Sequence, residues 1–242
     1  AYTEIETPQK LYDTAKSYLY DNYVGETSTI VSRSGDIIDA GSYNLSMIEN
    51  IDAIGFPALD YLLYFNGNTA VLASFTTAPD AADRMNYLIS ITTKLKDEFA
   101  LVQSGWSNFE TDFITADGND VGSSTSLLFN EFVKDIELLK NAKIGIPAGQ
   151  QTGGQTLPAY VEGYYAQISI ALAQENILGL KNAFLGGTGS GFDDYIRDVE
   201  SDDVTTSLAD QISNQFDICF TTAGSIGTPL SDKVDTNPTV VN

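Results

Sequence analysis

The chain contains no histidine. That removes the usual ligand of catalytic zinc and the base of a hydrolytic Ser–His–Asp triad. A peptidase would need an all-carboxylate metal site, so it stands as a distant alternative. Cys219 is the only cysteine, which excludes an intrachain disulfide. Its setting, Phe216-Asp217-Ile218-Cys219-Phe220, predicts a small buried hydrophobe and not a reactive thiol. Basic residues are few: 12 Lys and Arg against 33 Asp and Glu, a formal charge of −21. Such a surface repels nucleic acid and anionic membranes, whereas cations suit it. No run of 18 uncharged apolar residues occurs, so no transmembrane helix is expected. No signal peptide is visible from Ala1 onward, and the expectation is a leader or lipid-anchored segment already removed.

What remains is enough for a packed globule. The chain has 242 residues, of which 43% are hydrophobic and 11% aromatic. Few Lys and many Thr, Ser, Asn and Gly resemble the composition of an exported protein. The whole chain is expected to be one helical domain, residues 1–242, with a sub-boundary in the loop 142–157.

Helical periodicity dominates. Thr7-Pro8 opens a predicted helix to Tyr23, with Leu11, Ala15, Tyr18 and Leu19 on one face. Gly25 to Gly41 reads as a polar loop with an apolar pair at Ile37 and Ile38. A second helix is expected from Ser42 to Phe65, kinked or broken at Pro57 because proline removes a backbone hydrogen bond. The clearest helix starts near Pro79. Met85, Leu88, Leu95, Phe99, Val102, Trp106, Phe109 and Phe113 follow alternating three- and four-residue steps, with only Thr92 breaking the row, a bundle seam read as core. Helices are also expected over 124–140, from Pro158 to Gly186, and over 204–222, with an irregular tail after Gly224. No segment alternates strictly, so the expected fold is all-α, an antiparallel helical bundle.

The segment Ile54-Gly55-Phe56-Pro57-Ala58-Leu59-Asp60-Tyr61-Leu62-Leu63-Tyr64 resembles the signature helix of imelysin-like proteins, Gly-x-His-x-x-Glu within an apolar run. Gly55 keeps its place, while Pro57 stands at the His position and Asp60 at the Glu position. Arg84-Met85-Asn86-Tyr87-Leu88 resembles the Arg-x-x-Tyr-Leu that follows the signature in that family. Trp106, Ile144-Gly145-Ile146-Pro147, Val161-Glu162 with Tyr165, and the turn Gly189 to Asp194 continue the resemblance in order. The family usually runs longer, so a trimmed or processed member is expected. The resemblance implies two packed four-helix-type bundles related by pseudo-symmetry. It also implies a place outside the cytoplasm, as a periplasmic or cell-surface lipoprotein, and a link to uptake of iron or another metal.

Carboxylates are the candidate ligands. Asp60 sits in an apolar run, so its charge must be paired, hydrogen-bonded or metal-bound. Glu49 and Asp52 share one helical face, and with Asp60 they would suit a hard cation such as calcium or ferric iron. The competing reading is that Asp60 accepts hydrogen bonds from Tyr side chains or pairs with Arg84. Glu162, also in an apolar helix, is a candidate buried partner. The acidic run Asp193 to Asp203 reads as a solvated face. Two functions follow: a non-enzymatic exported protein that binds a metal or metal-bearing ligand, or a surface module for protein or glycan partners without metal.

Overall fold

The computed structural model describes residues 27–41, 44–45, 50, 53–200 and 205–241. Among these every regular element is helical and no strand occurs, so the all-α expectation holds. The predicted helix from Thr7 to Tyr23, and Glu49 and Asp52, lie outside the described residues. The chain divides into two compact units. Unit 1 comprises 1–129 together with Glu162–Ala166, and unit 2 comprises 130–161 and 167–242.

Unit 1 contains α1 (Thr27–Ala40), α2 (Gly55–Tyr64), α3 (Gly67–Thr76) and α4 (Ala81–Thr115), and the first turns of α5 (Ser124–Leu138). The loop expected between Gly25 and Gly41 is therefore α1. Its Ile30, Ile37 and Ile38 are buried, a spacing of seven and eight that places them on one face. Thr, Ser and Gly around them hide the pattern in the sequence. Packing against α2 and α4 outweighs those weak helix formers. The core joins these isoleucines to Ile54, Ala58, Tyr61, Leu62, Tyr87 and Ile91.

Tyr87 of α4 is wholly buried, and its hydroxyl donates to the Ala53 carbonyl at 2.5 Å. That proton being used, the Ser34 hydroxyl of α1 donates to the same oxygen at 3.2 Å. One phenol thus joins α1, α4 and the entry to α2. The seam of α4 differs from its expectation. Tyr87 and Ile91 are its only buried positions among the described residues, whereas Phe99, Val102 and Trp106 are 52%, 40% and 49% exposed. The 35-residue helix carries its apolar stripe far beyond the two residues that enter the core.

Unit 2 holds the rest of α5, a π-helical stretch Leu139–Gly145, a 3-10 turn Pro158–Tyr160, and five helices. These are α6 (Ser169–Phe184), α7 (Phe192–Val199), α8 (Leu208–Ile226), α9 (Leu230–Thr236) and α10 (Pro238–Val241). Ile177, Phe184, Ala209 and Phe216 form its core, with Phe132, Ile136 and Ile212 against them. Gly186, at φ +67°, lies in the turn after α6, and a Cβ there would meet Ser190 backbone at 2.4 Å. The tail expected to be irregular is helical instead, with Leu230 and Val234 buried. Asp193, Asp194 and Asp198 of the acidic run lie on α7. Asp194 caps its N-terminus by accepting from Gly191 N–H at 3.1 Å, and Arg197 bridges Asp193 and Asp210. Cys219 is exposed on α8, against the expectation of burial.

Candidate functional site

The signature segment begins with a break, not a bend. Ile54 is extended (φ −128°, ψ 172°) and Gly55 takes φ +75°, a conformation that favours glycine. Only then does α2 start, so the helix expected from Ser42 begins at Gly55. Pro57 consequently falls in the first turn, where backbone N–H groups have no partner inside the helix. It costs no hydrogen bond there and imposes no kink. Ala58, Tyr61 and Leu62 face inward, and Asp60, between them in sequence, is partly buried.

Asp60 uses both carboxylate oxygens on main chain. Oδ2 accepts from the Tyr165 N–H and Oδ1 from the Ala166 N–H, each at 2.9 Å. Both donors belong to the same unit as Asp60. The two donors lie side by side in a tight turn. Gly163 (φ +58°) and Gln167 (φ +61°) bracket the turn on the left-handed side. The helix expected from Pro158 therefore starts only at Ser169. Burial pushes the Asp60 carboxyl above the ordinary aspartate value, and the two backbone hydrogen bonds pull part of the way back.

Aromatic rings seal the contact. Tyr165 lies 5.8 Å from Tyr61 and 5.4 Å from Phe65 between ring centroids, and 5.1 Å from Tyr164. Tilted and edge-on pairs of this kind add to the burial they provide. Neither partner foreseen for Asp60 is the one found: the bonds come from backbone N–H groups, not from Tyr hydroxyls or Arg84. Arg84 pairs with Asp80 one turn back at 2.9 Å, and its Nε is buried without a hydrogen bond. Glu162 is buried, as its apolar setting suggested. Among the described residues, no three His, Cys, Asp or Glu side chains stand close enough to share a metal ion.

Two residues escape notice in the sequence. Tyr87 reads there only as part of a motif, yet its hydroxyl is the hub described above. Lys143, within the π-helical stretch, is buried and donates to Asn176 Oδ1 at 2.5 Å. Its Gly-Ile-Pro neighbours signal a loop but not a buried cation.

Fold and site together define an all-helical protein whose apolar Gly-x-Pro-x-x-Asp helix is stapled through its carboxylate to a distant turn. The model of the family described as Peptidase_M75, imelysin, matches residues 25–240, and the chain belongs to the imelysin family. No curated protein and no solved structure matches it. No helix among the described residues is long and apolar enough to cross a membrane.

Proposed function

We propose that this imelysin-family chain is a non-enzymatic, exported binding protein whose signature segment is a scaffold and not a metal centre. The observation that carries this is the Asp60 carboxylate, with each oxygen taking one main-chain N–H of the Tyr165–Ala166 turn. A carboxylate used this way orders the chain. Proline at position 57 offers no side-chain donor atom to a cation, and no histidine exists elsewhere to replace it. The absence of histidine also speaks against the peptidase chemistry in the family's name. Recognition then runs through the surface, with protein or glycan partners as the class. Export rests on the family resemblance and on a composition poor in Lys. The competing reading, an iron- or calcium-handling protein, would draw on Asp60 with Glu49 and Asp52.

The test is metal content by mass spectrometry after equilibration with iron, calcium and zinc, on the native chain and on Asp60→Asn. The scaffold reading expects no stoichiometric metal in either. A stoichiometric metal that disappears in Asp60→Asn would overturn it and restore the metal-handling reading.

A further inference from the structure

The second half of α4 carries an apolar stripe that its own unit leaves half open. Phe99, Val102 and Trp106 are the most open of its seam residues, while Leu95, Phe109 and Phe113 are partly buried. Trp106, Phe109 and Phe113 rest on one another, with ring centroids 5.2 to 6.2 Å apart. From Leu95 to Phe113 the stripe runs about 27 Å along the axis at 1.5 Å per residue. Scattered apolar residues on a surface are ordinary, but a contiguous stripe of this size marks an interface.

The stripe is complementary to itself. When two copies of α4 are laid antiparallel about a point near Ser104, Leu95 meets Phe113 of the second copy. Phe99 meets Phe109, and Val102 meets Trp106. Each pairing then occurs twice, as a two-fold axis requires, and the knobs fall in coiled-coil layers. Along one flank Lys96 comes opposite Glu110 of the second copy, again twice. Both side chains are exposed, and neither makes an ion pair among the described residues. Along the other flank Glu98 approaches Asp112, a like-charge contact, but Glu98 is already paired with Lys94 on its own helix. Gly105, on the flank of the central Val102–Trp106 layer, brings no bulk there, so the axes can come close.

We propose that the chain forms a two-fold homodimer through antiparallel pairing of α4 with α4 of a second copy, across the Leu95–Phe113 stripe. The net charge of −21 opposes association over long range. Pairing therefore strengthens with salt until that repulsion is screened.

The experiment uses the full chain at physiological salt. Sedimentation velocity from low to high micromolar protein reads the mass. Trp106, the only tryptophan, reads the stripe through its emission. The expected result is a shift to twice the chain mass with rising concentration, accompanied by a blue shift of Trp106. Lys96→Glu and Glu110→Lys should each weaken the dimer by about tenfold or more, equivalent to about 1.4 kcal/mol, and the double swap should restore it. Both positions are exposed on a helix, so the fold survives the swaps, as helical circular dichroism will check. A monomer at every concentration would overturn the proposal, as would a dimer indifferent to both single swaps. Trp106 emission already blue-shifted in the most dilute sample would also overturn it, because another part of the chain would then cover the stripe.

Discussion

The Asp60 carboxylate takes the backbone N–H of Tyr165, 105 positions further along the chain, at 2.9 Å. With the neighbouring bond from Ala166, it holds two successive N–H groups of that turn. In the pattern this segment resembles, a glutamate stands at this position, three residues after a histidine. In this chain it acts as an anchor for backbone.

Removing the anchor should cost stability. Asp60→Ala deletes the acceptor of two charge-assisted hydrogen bonds and leaves two N–H groups unpaired. A loss of about 2–4 kcal/mol is expected from such bonds in a partly buried setting. Chemical denaturation of the two proteins measures it. An Asp60→Ala protein as stable as the native chain would sink the staple reading.

The pH dependence has a definite sign. Burial raises the folded-state pKa of Asp60 above its ordinary value. A carboxyl of this kind holds its proton more tightly when folded than when unfolded. Its contribution to stability is therefore full below the ordinary aspartate value and is lost as pH rises through the raised folded value. Other carboxylates titrate too, so the informative quantity is the native chain minus Asp60→Asn, which lacks this titration. That difference in unfolding free energy should shrink as pH climbs through the window and then stay flat. A difference that grows with pH would mean that the two hydrogen bonds outweigh burial and that folding lowers the Asp60 pKa.

Pro57 offers a third test. In a helix interior, replacing proline by alanine relieves about 3 kcal/mol. In the first turn there is no lost hydrogen bond to recover, so Pro57→Ala should change stability by less than about 1 kcal/mol in either direction. A large gain in thermal or urea stability would mean that Pro57 strains α2 after all.

The sequence exposes some of this architecture more readily than the rest, for physical reasons. α4 is legible because Leu88, Leu95, Phe99 and Val102 keep a helical period over many turns, and the all-α class follows from it. How far its stripe is covered depends on tertiary partners, so Phe99 and Trp106 read as core although they are open. α1 stays hidden because its three isoleucines are spaced among Ser, Thr and Gly, and its stability comes from packing. The signature segment announces a buried carboxylate at Asp60. Its partners cannot be read, since a backbone N–H carries no residue identity. The left-handed conformations at Gly163 and Gln167 that present those donors leave little trace either, glutamine being an uncommon choice there.

Glu162–Ala166 belongs to unit 1, although the chain on both sides of it belongs to unit 2. Where one unit stops in space is thus not where it stops along the polypeptide. A protein cut after Phe129 would contain all of α1 to α4 and still carry Asp60 with neither of its donors. The same holds on the ribosome: when residue 129 has been added, the last piece of the first unit has yet to be synthesised.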